Sequence, residues 1–374
     1  MHKKKKEHKK RGIGWTILRI FLGAAGILVL VLVVYIGYLF ASYHRIEDNL
    51  ELEVEVEKPA EGNVDETLKT GTEYSALTYN IGFGAYTPDF SFFMDGGKSS
   101  WAKSKESVLE TVSGAGKLAA SYDPDFALIQ EVDLNSTRSY HVNEYELLKE
   151  SFPEYDSVFA QNYDSAFLFY PFTQPHGRSR SGLALFSRYP VTSALRRSFP
   201  VSTSFTKFFD LDRCYSISRI PVENGKELVI FELHMSAYGN SDAIREGQIS
   251  MLCNDMEAEY GAGNYVLCGG DFNHDLKASE DDSTGHESWA YPFPREDLPE
   301  HFTFCLDLLS EEEKDDLWDS ARNADMEYVP GVTYTVTLDG FIISDNLECL
   351  SYENINSGYS YSDHDPVYLK FKLK

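Results

Sequence analysis

Apolar runs and polar punctuation follow two different periods along this chain. Residues 20–43 contain no Asp, Glu, Lys or Arg and are rich in Leu, Val, Ile and Gly. At about 1.5 Å rise per residue, such a stretch crosses a ~30 Å hydrocarbon layer as one helix. Further on, short β-rich runs recur at 74–80, 126–131, 182–187, 215–221, 227–234, 265–271, 340–344 and 367–372. Between them, 103–121 places Val108, Leu109, Val112, Ala115, Leu118 and Ala119 near helical spacing, and 241–260 does the same with Ile244, Ile249, Leu252 and Met256. Asp123-Pro124-Asp125 ends the first helix and restarts the chain as a strand. Strands this numerous, with interleaved helices and short links, predict a layered α/β domain rather than a bundle.

Charge sharpens the division. Lys3, Lys4, Lys5, Lys6, Lys9, Lys10 and Arg11 precede the apolar stretch, Arg19 sits near its start, and Tyr35, Tyr38 and Tyr43 crowd its far end. This pattern predicts a basic cytoplasmic tail at 1–12 and a transmembrane anchor at 13–43, with the remainder outside a plasma membrane crossed once. A cleaved secretory signal fits less well, because the apolar core is too long and no clear Ala-x-Ala site follows. Residues 44–70, with Glu47, Asp48, Glu51, Glu53, Glu55 and Glu57, read as an acidic stalk before a domain at 71–374. The chain is −25 overall, and setting aside the +7 of residues 1–44 leaves −32 on the rest. A body this acidic disfavours general nucleic-acid binding, although a local basic site remains compatible with it. Five scattered cysteines suggest buried thiols rather than a zinc site or disulfide framework. One bridge stays open in an exported domain.

Several strands end in polar residues that an ordinary core strand does not place there. Asn80 follows 74–79, Gln130-Glu131 follows 126–129, His234 follows 229–233, and Asp271 and Asn273 follow 266–270. Asp339 precedes 340–343, and Asp363-His364 precedes Asp365-Pro366-Val367. Carboxylates, carboxamides and histidines converging at strand ends suit a divalent-metal hydrolase, in which hard oxygens hold the cation and a His/Asp pair handles protons. Each residue alone reads more readily as a cap or a surface group; their order and company carry the inference.

That order (Asn80, Gln130-Glu131, residues 181–188, His234, Gly270-Asp271-Phe272-Asn273, Asp339, then Ser362-Asp363-His364-Asp365-Pro366-Val367) resembles the endonuclease/exonuclease/phosphatase superfamily over roughly 74–373. The resemblance implies a four-layer α-β-β-α sandwich of two mixed sheets, here preceded by one transmembrane helix. It implies Glu131 as the principal metal carboxylate, with Asn80 and Asp363 beside it. Asp271 would activate water, Asn273 hold the phosphate, and His364 act on the leaving oxygen with its tautomer fixed by Asp339. His234 would be a second histidine against the phosphate. Mg2+ is the expected cation, with Mn2+ and Ca2+ as alternatives. The reaction implied is in-line attack of water on phosphorus without a covalent enzyme intermediate.

Substrate is where the pattern thins. His176, Arg178 and Arg180 cluster before a family strand and read either as a phosphate-binding patch or as a solvated loop. Aromatic segments at 83–93 and 289–295, and the group Phe167, Phe169, Tyr170 and Phe172, can wall a pocket, stack a base, enter a bilayer or anchor a loop. Three functional classes follow: a membrane-tethered phosphoesterase acting on lipid headgroups or small phosphate esters, an extracellular nuclease, and a non-catalytic surface-binding relative. The first is favoured, as a monomer with nucleic acid a lesser partner.

Overall fold

The computed structural model describes residues 13–56, 67–202, 212–236, 242–278 and 290–374. They divide into two units, one ending at His44 and the other comprising Arg45–Lys374. The first contains the helix Ile13–Ser42, most of whose large apolar side chains are exposed, Leu39 being buried. It is long and apolar enough to cross a membrane. The expected basic tail at 1–12 lies outside the described residues.

The second unit is built on two seven-stranded sheets. One runs in the order Leu50–Leu52, Ser193–Ser198, Cys214–Pro221, Glu227–His234, Tyr265–Asp271, Asp339–Ser344, Phe302–Phe304. The other runs Leu347–Asn354, Val367–Leu373, Glu73–Asn80, Phe126–Asp133, Arg180–Ser187, Asp156–Asp164, Val54–Glu55. Each is mixed: Glu227–His234 pairs parallel with Tyr265–Asp271, and Glu73–Asn80 with Phe126–Asp133, among otherwise antiparallel neighbours. All eight strands expected from the apolar runs are present.

The pleat explains why those runs are continuous rather than alternating. Successive side chains of one strand point to opposite faces, and both faces are covered. Ala76, Phe126 and Leu128 join a core shared by the two sheets, while Leu77, Tyr79, Ala127 and Ile129 point the other way. The outward set packs on Val108, Val112, Ala115 and Ala119 of the helix Lys105–Ser121. That helix starts where Ser104 accepts a hydrogen bond from the Ser107 N–H at 3.1 Å. On the far side, Ile249, Leu252 and Met256 of the helix Asp242–Gly261 enter the first core. The result is an α/β sandwich.

The stretch expected as a stalk is in part sheet. Leu50–Leu52 pairs with Ser193–Ser198 and Val54–Glu55 with Asp156–Asp164, closing one edge of each sheet. Leu52 and Val54 pack against the core while Glu51 and Glu53 face water, so the acidic alternation is that of an edge strand. Leu68 is buried beside Val222; residues 57–66 lie outside the described residues.

Candidate active site

The sheet register itself assembles a row of polar groups. Asp271 pairs across the parallel ladder with His234 and across the antiparallel ladder with Asp339, which places three polar residues side by side at one sheet end. Gly270, at φ +146°, makes this possible: a Cβ there would stand 2.1 Å from the Leu233 carbonyl oxygen. His364 completes the row, held by a bridge between Ala321 and His364 next to the strand Val367–Leu373.

The facing sheet contributes the other half. Opposite the strand Arg180–Ser187, the register slips between Ile129 and Val132. Within that bulge Glu131 adopts φ 58°, which redirects its carboxylate off the strand face. Asn80 stitches the halves together, its Nδ2 donating to Glu131 Oε1 at 3.3 Å and to Asp271 Oδ2 at 3.0 Å. Its Oδ1 accepts from the Gly82 N–H at 3.0 Å. Ser362 Oγ donates to the Asn80 carbonyl at 2.8 Å, tying the loop with Asp363 and His364 to the same strand end.

Asp271 is enclosed on every side. Its Oδ1 accepts from the Asn273 N–H at 2.8 Å, and its Oδ2 lies 3.4 Å from His234 Nε2 and 3.8 Å from His364 Nε2. Asn273 Nδ2 in turn donates to the Met235 carbonyl at 2.9 Å. His364 Nδ1 and Asp339 Oδ2 are 2.7 Å apart, and Ser320 Oγ donates to the same oxygen at 2.7 Å.

The two histidines are driven in opposite directions. Burial alone would discharge His364, but Asp339 against Nδ1, with Asp271 and Asp363 nearby, raises it well above the ordinary imidazole value. Burial and the neighbouring Arg213 and His364 push His234 well below it. An imidazolium and a neutral imidazole therefore flank one carboxylate, whose own proton affinity burial raises.

Two groups of side chains here could offer ligand atoms to a divalent cation. Asp271, Asp339 and His364 offer ligand atoms within 4.8 Å of one another, but all three are buried and already bonded among themselves. Glu131 and Asp363 are half-buried and line the cavity, and burial raises both carboxyls, Asp363 adding to the effect on Glu131. Two accessible, mutually repelling carboxylates beside a carboxamide fit a hard cation.

Glu131, His234, Asp271, Asn273, Asp363 and His364 line a cavity of about 650 Å³ walled by Phe83, Tyr86 and Phe92, so the aromatic segment after Asn80 is both core and wall. Of the residues singled out in the sequence, Asn80, Glu131, His234, Asp271, Asn273, Asp339, Asp363 and His364 come together, and His176 lines the same cavity. Arg178 and Arg180 do not: Arg178 Nη2 is 2.8 Å from Asp164 Oδ1, and Arg180 Nε is 3.9 Å from Asp164 Oδ2. Trp289 lies outside the described residues.

Three cavity arginines escaped the sequence reading: Arg138, Arg213 and Arg322. Arg138 donates to both Asp133 oxygens, at 3.1 and 2.9 Å, and stacks on Phe83 with its guanidinium carbon 3.7 Å from the ring centroid. Arg213 is buried, and among the described residues its Nε and Nη1 have no hydrogen-bond partner. Arg322 Nη2 donates to the Tyr86 and Thr87 carbonyls, each at 3.2 Å. The available signal was a lone arginine just after the Glu131 strand and another just before the strand Cys214–Pro221.

The comparisons with known proteins agree with this geometry. No curated protein matches the chain in sequence. An endonuclease/exonuclease/phosphatase from Beutenbergia cavernae DSM 12333 superposes with TM-score 0.54 at 14% identity, over 80% of this chain and 72% of that one. A family protein from Bacteroides thetaiotaomicron gives 0.52 at 16% identity, over 81% and 98%. TDP2 from D. rerio, complexed with single strand DNA product, gives 0.53 at 14% identity, over 81% and 100%. At such identities the likeness is one of fold. The model of the Endonuclease/Exonuclease/phosphatase family matches residues 77–304, more than half of the chain, and the protein belongs to that family.

Proposed function

We propose that the protein is a divalent-metal-dependent phosphoesterase, anchored in a membrane by the helix Ile13–Ser42 with its catalytic domain outside. The observation that carries the reading is the hydrogen-bonded series from Glu131 through Asn80 to Asp271, with His364 and its partner Asp339 alongside. Glu131 and Asp363, with Asn80, would hold the cation, Mg2+ being the expected ion. Once bound, it supplies positive charge against a phosphoryl oxygen.

The chain's own groups do the remaining work. Asp271, oriented by the Asn273 N–H, takes the proton of the attacking water. Its enclosure raises its proton affinity, which makes it a stronger base than a solvated carboxylate. His364, kept protonated by Asp339, gives a proton to the leaving oxygen or stabilises its charge. Neutral His234 and Asn273 hold the phosphoryl group. Arg213, whose Nε and Nη1 have no partner among the described residues, adds positive charge beside His234.

The substrate favoured is a lipid headgroup or another small phosphate ester. The net charge of −25 opposes a long polyanion, and the apolar helix brings the same molecule to lipid. The test is a substrate panel: full-length protein in detergent micelles with sphingomyelin, phosphoinositides, plasmid DNA and bis-(p-nitrophenyl) phosphate, each with Mg2+, Mn2+ or Ca2+. Metal-dependent turnover of the lipids or the small diester, well ahead of DNA, is the expected result. DNA cleavage as fast as the small diester would overturn the substrate assignment.

A further inference from the structure

Beside the catalytic cavity runs a strip of aromatic side chains that the chemistry above does not use. Phe172, Tyr170 and Phe169 are 85%, 64% and 49% exposed, and Met94 is 63% exposed. The strip is continuous with the cavity. The Phe172 and Tyr170 ring centroids are 5.9 Å apart, and those of Tyr170 and Phe93 also 5.9 Å. Phe93 lies 5.8 Å from the His176 ring, and His176, Phe92 and Met94 line the cavity wall. Residues 165–175 carry no Asp, Glu, Lys or Arg, in a chain of net −25.

An exposed apolar patch at the rim of a binding site needs an occupant. A nucleic-acid strand would stack its bases on such rings but would also need Lys or Arg along its backbone, which residues 165–175 do not offer. A neutral or zwitterionic lipid surface makes the opposite demand. It accepts aromatic rings at the headgroup level without requiring any cation. We propose that Tyr170 and Phe172 enter a zwitterionic phospholipid surface and so present the cavity mouth to headgroups in that surface. This deepens the phosphoesterase reading, yet its binding step stands apart from turnover.

The test must separate the strip from the N-terminal helix. Residues 45–374 hold all of both main cores and serve for this purpose. Sedimentation with phosphatidylcholine vesicles should carry this fragment down. Phe172→Ser combined with Tyr170→Ser should weaken partitioning at least about tenfold, the scale of withdrawing large apolar side chains from lipid. Hydrolysis of soluble bis-(p-nitrophenyl) phosphate should not change. Equal sedimentation of the two forms, or none by either, would overturn the proposal. So would binding of a single-stranded oligonucleotide that only the unsubstituted fragment retains, since that outcome assigns the strip to base stacking. If no phosphate ester is turned over at all, the vesicle measurement still decides this point alone.

Discussion

Replacing Asp339 by Asn removes one negative charge and leaves the shape of the side chain. In the native site Asp339 Oδ2 accepts from Ser320 Oγ and faces His364 Nδ1, each at 2.7 Å. A hydrogen bond to a charged group contributes about 1.5–3 kcal/mol. Losing it from the transition state lowers kcat by about 10- to 160-fold, at 1.36 kcal/mol per decade. The pH profile should move with it. Asp339 holds His364 well above the ordinary imidazole value of 6.5, so native His364 stays protonated as pH rises. Without that carboxylate the imidazolium titrates earlier, and the alkaline limb of kcat shifts to lower pH. The assay is hydrolysis of bis-(p-nitrophenyl) phosphate across pH, repeated across Mg2+ concentration. Because Asp339 also belongs to the Asp271, Asp339 and His364 cluster, a metal-ligand role makes a different prediction. Under that role the variant would need far more Mg2+ and recover its rate when given it. Unchanged kcat, or full rescue by Mg2+, would refute the assignment of Asp339 to the histidine.

Chelation by EDTA should abolish turnover while Tm falls by no more than about 10 °C, the effect of losing one ligand from a large domain; collapse of the melting transition would give the cation a structural role instead. Arg213→Met should raise KM about tenfold or more with a smaller change in kcat, because it removes a charged contact made in ground and transition states alike. Unaltered kinetics would remove Arg213 from substrate binding. Glu232 is buried between the sheets with the Gln130 amide donating to it at 3.3 Å, and burial raises its carboxyl well above the ordinary glutamate value of 4.5. Its folded form keeps the proton that the unfolded chain releases, so its contribution is complete below 4.5 and is lost as pH rises. The loss reaches about 1.4 kcal/mol per pH unit until the buried group itself ionises. Glu232→Gln should therefore flatten the fall of Tm between pH 5 and 8, and parallel curves for the two proteins would contradict this.

Much of the site was legible because its residues sit at strand ends, where a polar side chain breaks an apolar run. Asp271, Asn273, Asp363 and His364 lie in compact motifs, and sheet register converts their sequence order into proximity. Arg138 was hidden for a tertiary reason: only its pairing with Asp133 and stacking on Phe83 turn it toward Glu131. Arg178 and Arg180 looked like phosphate ligands by charge alone, but Asp164 on the neighbouring strand engages both. Strands rich in polar residues also escaped notice. Leu347–Asn354 and Asp156–Asp164 are too polar to stand out as apolar runs, and Leu50–Leu52 is short enough to read as part of a stalk.

The central claim is that residues scattered along the chain form one phosphate-ester hydrolysing centre around Asp271. Its most direct test compares Mg2+-supported release of p-nitrophenol from bis-(p-nitrophenyl) phosphate by the wild-type protein and by Asp271→Asn, with near-UV circular dichroism verifying that both are folded. The account predicts turnover by the wild type and a fall of at least about 10²-fold in the folded variant, the scale of losing a general base. Equal rates from the two proteins would contradict it.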